Sequence, residues 1–325
     1  MSIDEQLVRV LHEKGDHFIS GEELAETLGV TRTAIWNHIS RLRDLGYTID
    51  ALPHHGYRLA GIPDKMLPDE IRNVLTADSF VSKIHAYDRA DSTNDIAMRL
   101  AEGGALEGEL VVAEQQLKGR GRLGRNWFSP KGSGLWLSLI LRPSLPPSAA
   151  PQATLAGAVA VAKAIRETTG CEAHIKWPND VVIRGRKVCG ILTEMSSDMD
   201  RIRHIVLGIG VNVNVDAGAF PDELADIATS LKIESGRELS RLALLGAVIQ
   251  RFEEGYQEIR TGGFEALKDE WISLCDTVGK HVRVTAEGRE LDGVASGVDF
   301  RGNLVVRLPN GMSEHIISGD VAVIE

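Results

Sequence analysis

Residues 181–183 and 188–194 are apolar, strand-like runs separated only by Arg184, Gly185, Arg186 and Lys187. A parallel crossover needs about a dozen residues or more, so this pair closes as an antiparallel hairpin. The sheet that holds it is therefore at least partly antiparallel, and a purely doubly wound fold is disfavoured. Around the hairpin, 110–113, 135–141, 175–177 and 205–213 read as strands, and 94–102, 152–169 and 239–260 as helices. Beyond Thr277 come HVRVTA, LDGVASGV, NLVVRL, EHIIS and VAVIE, short runs punctuated by turns, the pattern of a small β-barrel of SH3-like size.

The amino-terminal stretch has a pattern of its own. Leu7, Val8, Val10 and Leu11 form a helical stripe, and Ser20 with Glu23 reads as a capping box opening a second helix that stops at Gly29. Thr31 caps a third, with Ile35, Ile39, Leu42 and Leu45 on one face and Gly46 as its stop. Two extended pieces, 47–50 and 57–60, joined across Pro53, His54, His55 and Gly56, read as a hairpin wing. Pro63 and Pro68 mark a linker. The expected fold class is thus α/β (α+β) multidomain: a winged helix-turn-helix at 1–63, a mixed-sheet domain at 64–273 and an SH3-like β-barrel at 274–325.

Composition narrows the function classes. Of 325 residues, 43% are hydrophobic and 25% charged, which excludes a disordered or fibrous chain. With 46 acidic against 36 basic residues the net charge is −10, so bulk coating of nucleic acid is excluded and only a local basic face remains. The longest uncharged apolar stretch, 153–162, is shorter than the ~18 residues a membrane helix needs, and the start MSIDEQLVRV is acidic where a signal peptide is basic. A cytoplasmic location without a membrane partner is expected. Cys171, Cys189 and Cys275 lack disulfide or zinc spacing, and no resident metal is expected.

Four motifs remain for chemistry. GRGRLGRNWFSP at 119–130 satisfies GxGxxG through Gly119, Gly121 and Gly124, but the chain runs on through Pro130, Gly132 and Gly134 instead of the helix a dinucleotide fingerprint requires. What it offers is a glycine-rich loop whose Arg120, Arg122 and Arg125 can present paired donors to an anion, the plainer reading being a solvated basic turn. KWPND at 176–180 sets Lys176 beside Trp177 at a strand end, either partly desolvated and facing an anion or snorkelling at the surface. In DSTN, Ser92, Thr93 and Asn94 head a helix, where capping is the default and anions also bind. GIGVNVN at 208–214 puts Asn212 on one face with Gly208 and Gly210. HExxH and Gly-x-Ser-x-Gly motifs are missing, so zinc-protease and serine-hydrolase chemistries drop out and cation-assisted work on phosphates survives.

Read in order, DSTN, AEQQLKGRGRLGRNWFSP, GLWLSLILRP, KWPNDVV, KVCGILTE and GIGVNVN resemble the biotin protein ligase family, and the helix-turn-helix in front resembles its bifunctional members that double as biotin operon repressors. The resemblance implies two steps. Biotin and ATP, with Mg2+, give biotinyl-5′-adenylate and pyrophosphate; a lysine of the biotin carboxyl carrier domain of acetyl-CoA carboxylase then attacks the mixed anhydride. It further implies that Ser92, Thr93, Asn94 and Gln116 hold the biotin head group, that Arg120, Gly121 and Arg122 close over the adenylate, and that Lys176 meets the carboxylate and α-phosphate. The backbone at Gly190 would complete the biotin pocket and Asn212 would serve the nucleotide side. Arg120, Arg122 and Lys176 are the expected catalytic groups, the arginines as clamps because guanidinium does not deprotonate near neutral pH.

For the repressor activity, the resemblance implies a homodimer on operator DNA of biotin genes, with the adenylate as corepressor. Thr31, Arg32, Thr33, Asn37, His38 and Arg41 on and before the third helix are the expected contacts, with Asn37 and His38 on its exposed side. Residues 1–65 hold seven Lys or Arg against ten Asp or Glu, so a module that no longer binds DNA is the alternative. For the whole chain the alternatives are a lipoate-type ligase and a ligand-sensing regulator without catalysis.

Overall fold

The computed structural model describes residues 2–286 and 288–324, and the chain divides into two compact units, Met1–Lys65 and Met66–Glu325. The first unit holds α1 (Ile3–Lys14), α2 (Gly21–Leu28) and α3 (Arg32–Leu45), followed by β1 (Thr48–Leu52) and β2 (Gly56–Gly61), an antiparallel wing. Leu7, Leu24 and Ile35 are fully buried at its centre. Thr31 Oγ1 accepts from the Ala34 N–H, and Gly46 ends α3 in the left-handed region at φ 104°, as the sequence predicts. Ser20 caps α2, but only half of the expected capping box forms. The Glu23 carboxylate accepts from Lys14 Nζ at 2.9 Å, since a charge-assisted bond outweighs a neutral one. A reciprocal box forms instead at Ser2 and Glu5. Leu45, expected in the apolar face, is exposed in the last turn of α3.

The second unit begins with α4 (Pro68–Val74), β3 (Lys83–Tyr87), α5 (Thr93–Glu102), β4 (Glu109–Ala113), β5 (Gly134–Leu141) and α6 (Pro151–Thr169). It continues through β6 (Ala173–Lys176), β7 (Asp180–Ile183), β8 (Arg186–Ser197), β9 (Ile202–Asn212), α7 (Leu231–Ser235), α8 (Arg241–Gly262) and α9 (Glu265–Leu274). Strands β3 to β9 form a seven-stranded sheet in the order β3-β4-β5-β9-β8-β7-β6. Only β3 and β4 run parallel among the described pairs, so the mixed sheet expected from the 184–187 hairpin is present.

Alternation along each strand separates two layers. Leu110, Val112, Leu207 and Ile209 point to the main core with α6 and α8, whereas Val111, Ile140 and Val206 meet Ala97 and Ala101 of α5 on the other face. The carboxy-terminal strands β10 (His281–Ala286), β11 (Arg289–Val298), β12 (Leu304–Arg307), β13 (Ser313–Ile316) and β14 (Asp320–Val323) make a five-stranded antiparallel sheet in the order β13-β12-β11-β10-β14. This sheet belongs to the second compact unit, held by Trp177 Nε1 donating to the Gly302 carbonyl at 3.2 Å and Gln152 Nε2 donating to that of Phe300.

Candidate active site

The site is built on glycine. Gly190 of β8 lies opposite Gly210 of β9, and Leu192 opposite Gly208. Gly208 and Gly210 share the sheet face of Val206, so bare backbone floors the side on which α5 packs. A Cβ at Gly208 would stand 2.1 Å from Asn94 Oδ1, and one at Gly210 2.4 Å from Trp127 Nε1. No other residue fits there without displacing a neighbour. Above this floor lies a cavity of about 500 Å³, within the range of small-molecule sites.

One end of the cavity is a fixed polar cluster at the start of α5. Ser92 Oγ caps the helix by accepting from the Asp95 N–H. Gln116 Oε1 accepts from both the N–H and the Oγ1 of Thr93, at 2.9 and 3.1 Å, while its Nε2 donates to Ser129 Oγ. Asn94 Nδ2 donates to the Leu192 carbonyl and to Glu194 Oε2, and Ser138 Oγ donates to Asn94 Oδ1 at 2.6 Å. Ser92, Thr93 and Asn94 are all buried. Their polar atoms are thus held in one geometry before any ligand arrives, which suits a rigid polar head group.

The arginine loop walls the cavity, and all three of its guanidinium groups find acceptors within the chain, Arg120 and Arg125 on carboxylates. Arg120 meets Asp95 at 2.5 Å and Glu194 at 3.0 Å; Arg122 donates to Asn179 Oδ1 and Ser318 Oγ; Arg125 pairs with Asp320. The Arg125 hydrogen bond holds the Asp320 carboxyl below the usual carboxylate range, and burial lowers the Arg122 pKa. Asp320 and Val321 bring the carboxy-terminal sheet to the rim of the pocket.

The two lysines differ. Lys176 at the end of β6 is exposed, the surface placement of the two that its sequence setting allows. Strand alternation turns Trp177 inward, 2% exposed, and Lys176 outward. Its ammonium makes no hydrogen bond or ion pair among the described residues, although its charge also lowers the Asp320 pKa. Lys187, which sequence reasoning passed over, lies deeper. Its Nζ is 2.6 Å from Asp180 Oδ1 and 5.2 Å from the centre of the Trp127 ring. Regular alternation would send residues 187 and 190 to opposite faces. A register shift in the β7–β8 pairing, where Val181 faces Cys189 but Val182 faces Lys187, returns Lys187 to the glycine face. The signal was the lysine in KVCGILTE, and the bulge concealed it.

All ten expected ligand residues, Ser92, Thr93, Asn94, Gln116, Arg120, Gly121, Arg122, Lys176, Gly190 and Asn212, line this one cavity. Asn212 is buried, its Nδ2 donating to the Thr229 carbonyl at 3.0 Å. That bond anchors the segment before Thr229, whose Asp226, Ile227 and Ala228 line the same pocket. In the first unit, Thr31, Arg32, Thr33 and Asn37 are exposed as expected. His38 is not: it is half-buried, with Nδ1 2.5 Å from Asp4 Oδ1, and Arg41 also pairs with Asp4. The acid in the first turn of α1 draws both toward that helix. Among the described residues no cluster of three His, Cys, Asp or Glu could hold a metal ion, and no helix is long and apolar enough to cross a membrane.

A mixed sheet with a glycine-floored, cation-walled pocket, a helix-turn-helix unit in front and a small antiparallel sheet behind defines a protein ligase with an attached DNA-binding module. Residues 86–212 match the model of the biotin/lipoate A/B protein ligase family, 4–58 that of a helix-turn-helix domain, and 277–323 that of the biotin protein ligase C-terminal domain. The chain belongs to the biotin/lipoate A/B protein ligase family. Within it, the chain is 40% identical to the bifunctional ligase/repressor BirA of Bacillus subtilis over 98% of both chains. It is 30% identical to that of Escherichia coli over 94% of this chain and 93% of the other. Among solved structures, the biotin protein ligase of Aquifex aeolicus in complex with biotin and ATP superimposes with a TM-score of 0.65 at 31% identity, covering 75% of this chain and 99% of that one.

Proposed function

We propose that this chain is a biotin–protein ligase that also represses transcription in response to biotin. One observation carries the reading: a single cavity joins a preorganised polar cluster, a bare glycine floor and a cationic wall. In this reading the ureido head of biotin sits against Ser92, Thr93, Asn94 and Gln116, its ring and tail lie along Gly190, Gly208 and Gly210, and its carboxylate points toward Lys187, Lys176 and the arginines. Two anions, the carboxylate and the α-phosphate of ATP, must then approach one another. Preorganised cations offset their repulsion and stabilise the charge that develops as the carboxylate displaces pyrophosphate. Mg2+ enters with ATP as part of that substrate, and Asn212 serves the nucleotide side. Arg120 and Arg122 act as clamps.

The deciding experiment is exchange of labelled pyrophosphate into ATP. It should depend on biotin and fail with lipoate; exchange driven by lipoate alone would establish the lipoate-type alternative. Two variants probe the geometry. Gly208→Ala, whose Cβ would collide with Asn94, is expected to weaken biotin binding about tenfold or more by calorimetry. Arg122→Gly removes the bonds to Asn179 and Ser318 that tie the loop to its neighbours. Adenylate should still form but escape, labelling exposed lysines of a bystander protein such as serum albumin. Retention of adenylate in rapid filtration at the unmodified level would count against the clamp.

The acceptor is a lysine of the biotin carboxyl carrier domain of acetyl-CoA carboxylase. For repression, the adenylate acts as corepressor, favouring a homodimer whose two helix-turn-helix units read two half-sites of a biotin operator. Linkage makes DNA and adenylate bind each other's form of the protein more tightly. A gel shift on the promoter of the chain's own biotin genes, with and without biotin and MgATP, tests this. Identical binding in both states would reject the corepressor role, and no binding in either would leave the ligase alone.

A further inference from the structure

We propose that Trp36 reads DNA directly, packing its indole on thymine 5-methyl groups in the major groove; the proposal rests on the DNA-binding role assigned above. The core-facing residues of α3 are Ile35, Ile39 and Leu42. The outward face carries Arg32, Thr33, Trp36, Asn37 and Ser40, all exposed. Trp36 retains 60% of its surface, whereas Trp136, Trp177 and Trp271 retain at most 2%. A single exposed apolar residue is unremarkable by itself. What distinguishes this one is its setting.

The cations that could have served the fold are already engaged further along α3: Arg41 pairs with Asp4, and Arg43 donates to the Ile49 carbonyl. By contrast, the side chains of Arg32, Trp36 and Asn37 make no hydrogen bond or ion pair among the described residues. Charge tells the same story. The first turns of α1 and α2 carry Asp4, Glu5, Glu22 and Glu23, and that of α3 carries no acid. The one carboxylate on α3, Asp44, lies at its far end. In a unit where acids outnumber bases, the early part of α3 thus carries no acid of its own beside the Arg32 guanidinium, which complements a polyanion.

Duplex DNA fits each element. Arginine pairs with guanine O6 and N7 or with phosphate, asparagine with adenine N6 and N7, and apolar groups pack on the thymine methyl, the one hydrophobic feature of the major-groove edge. Arg32 and Trp36 stand one turn apart at i, i+4, and Asn37 lies beside Trp36 on the exposed side of the helix. Arg32 and Asn37 supply polar readout; Trp36 supplies the apolar contact and discriminates T from C.

The test uses the full chain with biotin and ATP. A random pool of short duplexes is enriched for binding, and the enriched duplex is prepared with thymine and with deoxyuridine, which lacks only the 5-methyl group. The unmodified protein should lose about fivefold or more in affinity on the uracil duplex, the lower end of what one altered base pair costs. Trp36→Ala should bind the thymine duplex that much more weakly and be indifferent to the methyl group. Its pyrophosphate exchange and its helical far-ultraviolet circular dichroism should both be unchanged, which shows that the ligase unit and the helix-turn-helix unit are folded. Retained methyl sensitivity in the variant would overturn the assignment. So would a binding defect accompanied by loss of the dimer in sedimentation, which would make Trp36 a contact between copies. If no duplex is enriched by the unmodified protein, the DNA-binding role falls and Trp36 readout with it; an enriched duplex bound equally by the variant refutes only Trp36.

Discussion

Lys187→Ala is expected to lower biotin-dependent pyrophosphate exchange by about 10²-fold or more, the usual cost of removing one preorganised group that stabilises transition-state charge. The ammonium lies on the Trp127 ring beside Gly190, where a Cβ would come within 3.2 Å of Lys187 Cε. It is thus fixed at the glycine floor, where solvent screening is weaker than at the rim. Lys176→Ala should cost less, on the order of tenfold and mainly in the KM for ATP, because an exposed cation acts through a higher effective dielectric. Steady-state exchange kinetics on both variants distinguish the two. Equal losses, or a larger loss at Lys176, would return the principal catalytic role to the residue that the sequence points to.

The second large effect concerns stability. Arg241, 2% exposed at the start of α8, meets Glu114 Oε2 at 2.7 Å, and Glu114 Oε1 accepts from the Met66 N–H at 2.6 Å. Glu114 therefore ties together the first residue of the second unit, the segment after β4 and the long helix. Glu114→Ala removes a carboxylate from a buried guanidinium and the acceptor of the buried Met66 N–H, and a loss of about 3–5 kcal/mol is expected. Urea unfolding followed by fluorescence of the buried tryptophans measures it. Replacing Glu114 and Arg241 together by methionine should recover only part of that loss, since it avoids the desolvation of both ions but still leaves the Met66 N–H without this acceptor. By comparison, Glu23→Ala, which breaks the exposed contact with Lys14, should change stability by less than about 1 kcal/mol once the screening of surface charges is counted.

The strand-turn-strand run at 181–194 made the mixed sheet legible, because four residues cannot carry a crossover. Helices with clear caps, such as α3 between Thr31 and Gly46, were legible for the same local reason. Other elements were not. The edge strand β3 has no clear two-residue alternation, being half-buried through Ile84, His85 and Ala86. The stripe of Leu267, Trp271 and Leu274 in α9 was readable in principle but sat at the presumed domain end. At the site, motifs located the pocket but not the roles within it. Which lysine faces the floor depends on a bulge, and which cations are free depends on acids distant in sequence: Asp320 for Arg125, Glu194 for Arg120 and Asp4 for Arg41. Pairings over such separations leave no local periodicity to read.

The central claim, that this pocket activates biotin for transfer to a protein, is tested most directly by intact-mass analysis of a biotin carboxyl carrier domain after incubation with the chain, biotin and MgATP. The predicted result is a gain of one biotinyl group on a single carrier lysine, with AMP and pyrophosphate released in equal amounts and no gain when either biotin or ATP is withheld. An unmodified carrier in the presence of folded protein, or a gain that appears with lipoate in place of biotin, would contradict it.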